Sequence, residues 1–162
     1  MNTSPAKSSS SSSDSSKQLE LGRRGEALAA AYLQQRGYHI VAANFVLPVG
    51  RNRLGVPINV EIDLVAYQGE TLCFIEVKSR ASDWFAPPQV NVDRRKQRQI
   101  ARAARAYRRM FGLAGEPYRY DVVTIVFGDE ADLRVAPKID LLRNYWSEDQ
   151  LRKRTWSDRY YD

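Results

Sequence analysis

The sequence predicts an α/β fold, a mixed β-sheet flanked by helices, and two observations support this prediction. Helical periodicity of apolar residues occurs in two separate stretches, residues 19–36 and residues 91–111. Short segments rich in β-branched and aromatic residues fill the intervals between and after them, as strands do. The predicted order is one helix, three strands, a second helix and two strands. The 162 residues suffice for one domain with a hydrophobic core.

Glycine and proline mark the limits of the first elements. Gly37 supplies a stop after the helix of residues 19–36. The apolar face of that helix is built from residues at spacings of three and four, namely Leu21, Gly25, Leu28 and Tyr32. Residues 39–47 are predicted as the first strand. Residues 48–57 hold two prolines, two glycines and two arginines, which predicts a surface loop whose arginines could reach a phosphate backbone.

The next two strands, residues 58–67 and residues 71–78, form a predicted hairpin. Gly69 and Glu70 between them suit a two-residue type II′ turn. Counting outward from that turn gives three facing pairs, which are Gln68 with Thr71, Asp63 with Glu76, and Glu61 with Lys78. Like charges directly opposite each other are destabilising. The pair of Asp63 and Glu76 therefore indicates that a cation lies between the two carboxylates.

A hard divalent cation fits this hairpin, because Mg²⁺ is typically bound by one or two carboxylates together with substrate phosphate. Lys78 projects from the same face as Glu76, where it can hold a water nucleophile or neutralise charge on a phosphate. The alternative is a cross-strand salt bridge from Glu61 or Asp63 to Lys78 on a solvated face, contributing roughly 0.2–1 kcal/mol. The spacing alone leaves both interpretations open.

The second helix predicts a contact with nucleic acid. One side of residues 91–111 carries arginines at steps of three and four, with no acidic residue from position 94 to position 110. These arginines are Arg95, Arg98, Arg102, Arg105 and Arg109. Arginine suits phosphate recognition through its bidentate donors and permanent charge. Lys96 falls near the apolar side and is expected to project toward the sheet, where it needs a carboxylate or a phosphate.

The remaining segments are predicted in less detail. Residues 119–127 form the next strand and residues 131–136 its hairpin partner. Trp84 and Phe85 either stack on bases or pack beneath the second helix. The tail, residues 138–162, combines a capping-box sequence at positions 147–150 with basic and aromatic residues. That composition fits a partly helical segment docked on the body, or an arm for nucleic acid.

Composition limits the setting of the protein. Residues 1–17 are rich in serine and are predicted as a disordered leader, which leaves residues 18–137 as the globular domain. No stretch resembles a secretory signal or a membrane span, and the single cysteine, Cys73, suits a reducing cytoplasm. His39, the only histidine, has too few partners for a zinc site. The net charge of +6 indicates a polyanionic partner.

Several short motifs occur in a consistent order between positions 19 and 127. They are Gly22-Arg23-Arg24-Gly25-Glu26, Asn44, Glu61-Ile62-Asp63-Leu64, Phe74-Ile75-Glu76-Val77-Lys78-Ser79-Arg80, Lys96 and Tyr120-Asp121-Val122-Val123. With these motifs the chain resembles the YraN family, a branch of the PD-(D/E)xK nuclease superfamily related to Holliday-junction resolvases. The resemblance implies a restriction-endonuclease-like core in the order α-β-β-β-α-β. Residues 48–57 are longer than expected for that family, and Val60 stands where glycine is usual.

The resemblance also implies roles for individual residues. Asp63 and Glu76 would bind Mg²⁺, or Mn²⁺ in its place, with the Val77 carbonyl as a further ligand. Lys78 would be the catalytic lysine. Glu26, which periodicity alone places only at the border of the apolar face, would be the helix carboxylate that joins the site.

The function implied is that of a metal-dependent DNA endonuclease, with a possible preference for branched or recombining DNA and a possible homodimeric state. The residues expected to contact nucleic acid are Arg80, Arg95, Lys96, Arg98, Arg102, Arg105 and Arg109. A rival from another class is a non-catalytic nucleic-acid-binding module that keeps the fold. A third is a structural protein in which the hairpin charges form only salt bridges.

Overall fold

The computed structural model describes residues 10–81, 91–128 and 136–151, with side chains from position 14 onward. The elements in chain order are α1 (Ser10–Gln34), β1 (Tyr38–Arg51), β2 (Pro57–Gln68), β3 (Thr71–Arg80), α2 (Arg94–Met110), β4 (Tyr118–Val126), β5 (Lys138–Trp146) and a 3₁₀ turn (Asp149–Leu151). This is the predicted α/β arrangement, consistent with a restriction-endonuclease-like fold. No described helix is long and apolar enough to cross a membrane.

The five strands form one mixed sheet in the order β1-β2-β3-β4-β5. Neighbouring strands are antiparallel except β3 and β4, which run parallel. A parallel pair cannot be closed by a tight turn, and α2 provides the crossover between these two strands. The consequence is that β3 lies in the middle of the sheet, and its apolar residues are buried on both faces.

Each face of the sheet has its own apolar core. The face covered by α2 packs Phe74, Tyr107, Tyr120 and Trp146, and the indole of Trp146 stacks on the ring of Tyr120 with centroids 4.9 Å apart. The face covered by α1 is built from smaller side chains, including Ala29, Leu33, Ile75, Val123 and Ile125. Because both faces are covered, the alternation of buried and exposed residues along β3 and β4 is lost.

Helix α1 begins earlier than the periodicity predicts. Residues 10–17, assigned by the sequence to a disordered leader, continue the helix at its N-terminal end. Adding residues to a helix that is already nucleated costs little, because each added residue gains one backbone hydrogen bond. Residues 1–9 lie outside the described part of the chain.

The segment predicted as a loop, residues 48–57, is mostly a β-hairpin. Strand β1 continues to Arg51 and β2 begins at Pro57, so only residues 52–56 form the turn. The prolines are compatible with pairing because β1 is an edge strand, and a register shift between Pro48 and Gly50 bends it. Gly50 has φ 151°, a conformation that favours glycine.

The C-terminal region also departs from the prediction. Residues 138–146, expected to belong to a partly helical tail, form strand β5 antiparallel to β4, and the buried Trp146 ends it. The capping box is present, since the Ser147 N–H donates to Gln150 Oε1 at 3.2 Å, but it opens only the short 3₁₀ turn. The hairpin partner predicted at 131–136, the aromatics Trp84 and Phe85, and the basic residues beyond position 151 lie wholly or largely outside the described residues.

Candidate active site

The predicted hairpin register holds for the part of β2 and β3 nearest the turn. Gln68 pairs with Thr71, and the ladder continues residue by residue to Leu64 and Ile75. Gly69 has φ 57°, the positive value that a type II′ turn needs at its first central position. The count from the sequence is therefore correct over five pairs.

The ladder ends where the two carboxylates begin. Asp63 and Glu76 do not form the predicted backbone pair, because Asp63 Oδ2 accepts the N–H of Val77 at 2.7 Å. A side chain replaces the carbonyl that would have continued the ladder, and the strands separate at this point. The predicted pair of Glu61 and Lys78 is also wrong, since pairing between β2 and β3 has already ended at Leu64 and Ile75. Glu61 is exposed and pairs only with Val46 of β1. Among the described residues, Lys78 forms its ion pair with Glu76 on its own strand and not with Glu61 or Asp63.

Glu76 lies at the centre of the charged cluster, with 3% of its surface exposed. Lys78 Nζ is 2.9 Å from Glu76 Oε1, and Lys96 Nζ is 3.3 Å from Glu76 Oε2. A buried carboxylate is stable only when it is paired, and here each oxygen has its own ammonium group. The prediction that Lys96 turns from the first turn of α2 toward the sheet is borne out by this contact.

Asp63 lacks comparable compensation. The pKa of Asp63 is raised from an ordinary value of 3.8 to about 7, first by burial and then by the neighbouring charge of Glu76. The Val77 N–H and the charge of Lys96 oppose this shift, while Glu26 adds to it. Burial and the neighbouring carboxylates therefore favour the protonated, neutral form of Asp63. A bound cation relieves this repulsion between carboxylates.

Helix α1 brings Glu26 to the same region. A Cβ added at Gly25 would lie 1.7 Å from Ser79 Oγ, so the absence of a side chain at position 25 allows α1 to approach β3 this closely. Asn44, in the left-handed conformation at φ 50°, donates from Nδ2 to Glu26 Oε2 at 2.6 Å. Asn44 belongs to the motifs quoted above but was not predicted as a site residue. The feature of the sequence that points to it is the asparagine itself, because asparagine tolerates a positive φ.

A cleft of about 360 Å³ opens between α1 and the end of β3. Its lining includes Gln18, Glu26, Val77, Lys78 and Ser79. The Ser79 hydroxyl is buried and has no hydrogen-bond partner among the described residues. An orphaned polar atom in a cleft next to carboxylates indicates a place where water or a polar ligand binds.

The donor set suits a hard cation. Carboxylate oxygens of Asp63 and Glu76 and the carbonyl of Val77 are ligands that Mg²⁺ accepts, and Mg²⁺ retains several waters when the protein supplies few ligands. Within the described residues, no three side chains of His, Cys, Asp or Glu converge closely enough to form a complete cage. The residues therefore fit a cation bound by two carboxylates and completed by water and substrate, and not one bound by an all-protein site.

The arginine face of α2, defined by Arg95, Arg98, Arg102, Arg105 and Arg109, is exposed as predicted. Arg80 at the end of β3 is exposed as well. The face is not free of acidic partners, because Arg105 donates to Glu148 from the C-terminal 3₁₀ region. Sequence spacing missed this pair, which is separated by 43 positions along the chain.

Glu148 is held by a small network on that face. The hydroxyls of Tyr118 and Tyr120 donate to its Oε1 at 3.1 and 2.8 Å. Burial favours the protonated carboxyl, but the hydrogen bonds from Tyr120 and Arg105 outweigh burial and lower the pKa of Glu148. A cleft of about 400 Å³ beside it is lined by Arg98, Arg102, Arg105, Glu148 and Leu151.

A second buried charge network lies on the α1 face of the sheet. Asp121 is fully buried and accepts from Arg119 Nε at 2.9 Å and from the Asn144 N–H at 2.8 Å. The guanidinium of Arg119 also donates to the Tyr38 hydroxyl and to Gln68 Oε1. These hydrogen bonds tie β1, β2, β4 and β5 together.

The chain is similar to proteins of one family. The model of the family described as Uncharacterised protein family UPF0102 matches residues 25–125, a range that includes Glu26, Asp63, Glu76, Lys78 and Lys96. A UPF0102 protein of Moorella thermoacetica is 44% identical over 104 residues, which cover 64% of this chain and 78% of the relative. Another, of Geotalea uraniireducens, is 37% identical over 133 residues, covering 82% and 94%. A third, of Chlorobium chlorochromatii, is 46% identical over 106 residues, covering 65% and 74%. The chain belongs to the UPF0102 family, which is the YraN family that its motifs indicate.

Proposed function

We propose that this protein is a metal-dependent DNA endonuclease whose site is the cluster of Asp63, Glu76, Lys78 and Glu26. The observation that supports the proposal most strongly is the separation of β2 from β3 at Asp63 and Glu76. A sheet gains nothing by ending a ladder at two carboxylates, one of which has its pKa raised to about 7. A binding site for a cation and a phosphate would account for the two carboxylates at this position.

Asp63, Glu76 and the Val77 carbonyl would hold the cation. A bound Mg²⁺ supplies Lewis-acid stabilisation of charge on the scissile phosphate and lowers the pKa of a bound water. The side chain of Lys78 is 39% exposed and touches Glu76, so its ammonium can turn toward a phosphate oxygen or an attacking water. Glu26, fixed by Asn44 at the cleft, is placed to orient that water.

The arginine face of α2 would position the DNA backbone. Lys96, in the first turn of the same helix, contacts Glu76, so the helix that carries the arginine face begins beside the site. Contacts to phosphate fix register and orientation but carry no sequence information. We therefore favour selection of DNA by shape, including branched DNA, over recognition of a base sequence.

The test is cleavage of labelled duplex, flap and four-way-junction DNA with Mg²⁺ or Mn²⁺. Wild type is compared with Asp63→Asn and Glu76→Gln, and binding is followed on the same substrates in EDTA. Glu61→Gln is the matched control, because Glu61 is an exposed carboxylate on the same strand. We expect metal-dependent cutting in wild type and in the control, and retained binding without cutting in the two site variants. Binding without cutting by wild type under any metal would contradict the proposal.

A second candidate function is a nucleic-acid-binding module without catalysis. Both oxygens of Glu76 already have ammonium partners, so the cluster is partly balanced without a metal. In that case wild type would bind DNA equally well with and without Mg²⁺. Asp63→Asn and Glu76→Gln would bind DNA in the same way. The uncompensated Asp63 argues for the endonuclease, because a decayed site would gain from losing that carboxylate.

A further inference from the structure

The β1–β2 hairpin continues beyond the point where β2 stops pairing with β3. Pairing between β2 and β3 ends at Leu64 and Ile75, whereas pairing between β1 and β2 continues to Arg51 and Pro57. From Asp63 to Pro57, strand β2 has β1 as its paired neighbour and no paired strand on its other side. At about 3.3 Å per residue this two-stranded ribbon reaches at most roughly 20 Å past Asp63.

The base of the ribbon is anchored and its outer part is free. Leu47 and Val60 are buried in the core beneath α2, with 1% and 6% of their surfaces exposed. Residues 50–57 are all exposed. An isolated two-stranded hairpin is marginally stable in water. The outer part therefore depends on bonds within its own turn.

Those bonds make the tip a defined structure. Asn52 Oδ1 accepts the N–H groups of Leu54 and Val56 at 2.9 and 3.0 Å, and the Asn52 N–H donates to the Val56 carbonyl at 2.9 Å. The guanidinium of Arg51 donates to the Gly55 carbonyl at 2.6 Å, and Gly55 has φ 77°. Leu54 stands on this braced tip with 87% of its surface exposed, the largest value among the large apolar residues of the described chain.

Charge around the tip favours a polyanion. The sequence has no Asp or Glu from position 27 to position 60, while Arg51 precedes the turn and Arg53 lies within it. The guanidinium of Arg102 lies 4.0 Å from the point that a Cβ at Gly50 would occupy. The hairpin is therefore continuous with the arginine face of α2. A rigid apolar tip inside a basic surface fits nucleic acid better than it fits a protein core or a lipid surface.

We propose that this hairpin enters a groove of the bound DNA and that Leu54 wedges between neighbouring bases, with Arg53 and Arg102 on the flanking phosphates. The inference rests on the proposed function, since it takes DNA as the substrate. A two-stranded ribbon fits a DNA groove, and inserted leucine side chains unstack a base step at a cost of a few kcal/mol. The cost is smallest where stacking is already weak, so the wedge selects DNA with a junction, a mismatch or a flexible step.

The wedge also fixes where the DNA is distorted relative to where it is cut. Leu54 and Asp63 are separated by nine residues of one continuous hairpin and strand, so they are at most about 30 Å apart at the rise of a β-strand. Base pairs of B-DNA rise by about 3.4 Å. The unstacked step should lie within about nine base pairs of the cleaved phosphate.

The experiment uses 2-aminopurine, whose fluorescence rises on unstacking, placed at successive positions in a duplex and in a four-way junction. The full chain is added in EDTA, so that binding is measured without cutting. We expect a several-fold rise at one position for wild type and its loss in Leu54→Ala. The matched control is Val41→Ala, which alters an exposed apolar residue of β1 at the end of that strand far from the turn.

The outcomes separate this inference from the proposed function. Leu54→Ala should melt within about two degrees of wild type, because substitution of so exposed a residue changes stability little. DNA binding by wild type with no rise at any position would overturn the wedge and leave the endonuclease proposal intact. A rise that persists in Leu54→Ala would also overturn it. Failure of wild type to bind either the duplex or the junction would contradict both the wedge and the endonuclease proposal.

Discussion

Replacing Asp63 with asparagine should stabilise the protein at high pH when no divalent cation is present. The change removes a carboxylate whose pKa is raised to about 7 and keeps an oxygen that can accept the Val77 N–H. Asparagine has nearly the same shape, so packing is preserved. The prediction therefore isolates the charge of Asp63 from its hydrogen bond.

The sign follows from proton binding. Between pH 3.8 and about 7 the native state holds a proton on Asp63 that the unfolded chain has lost, so stability falls as pH rises and the loss is complete above pH 7. A rise in pKa from 3.8 to about 7 corresponds to roughly 4 kcal/mol. The variant also loses the attraction between the charges of Asp63 and Lys96, which offsets part of this gain. We therefore expect a net gain of roughly 1–3 kcal/mol at pH 8.

The assay is thermal unfolding followed by circular dichroism in EDTA at pH 5 and pH 8. At roughly 2–4 °C per kcal/mol for a chain of this size, Asp63→Asn should melt about 2–12 °C higher than wild type at pH 8. The difference should shrink at pH 5, where Asp63 is mostly protonated in the folded protein. Glu61→Gln should show no such dependence. A lower melting temperature for Asp63→Asn at pH 8 would refute the reasoning and favour a stabilising ion pair.

Three further predictions concern packing, a buried ion pair and salt. Gly25→Ala should lower stability by roughly 2–4 kcal/mol, because its methyl overlaps Ser79, and adding Ser79→Gly should restore most of the loss in the same melt. Arg119→Met should cost roughly 3–5 kcal/mol in urea unfolding, since it leaves the buried Asp121 without its ion-pair partner; a cost below 1 kcal/mol would contradict this. Arg102→Ala should reduce the slope of log binding constant against log salt by about 0.9, measured by fluorescence anisotropy, and an unchanged slope would place Arg102 off the DNA.

The central part of the fold could be predicted from local patterns. The two helices, the turn at Gly69 and the five-pair register of β2 and β3 follow from periodicity and turn chemistry. The ends could not. Pro48 and Pro57 indicate a loop, because proline lacks an N–H donor for strand pairing. They lie instead in a hairpin at the edge of the sheet, where the missing donors are tolerated, and the sequence alone does not reveal this position. Strand β5 was missed since its partner is β4, and its pattern alone resembles a polar tail.

The candidate site was predictable in its residue types and less so in its geometry. The charged motif on β2 and β3 indicated Asp63, Glu76 and Lys78, and the wheel of α2 placed Lys96 toward the sheet. The replacement of a ladder bond by the Asp63 side chain was not predictable, because a residue count assumes that pairing continues. The contacts of Asn44 with Glu26 and of Arg105 with Glu148 join distant segments, and only the folded chain brings them together.

The pairing of Glu76 with two lysines affects how the protein folds when no cation is bound. Many small metal-binding domains remain unfolded until the ion arrives, because their ligands repel one another. Here Lys78 and Lys96 already neutralise Glu76, the buried carboxylate at the centre of the cluster. Synthesis and folding can therefore proceed where divalent cations are scarce, and a chelator would silence such a site without denaturing the chain.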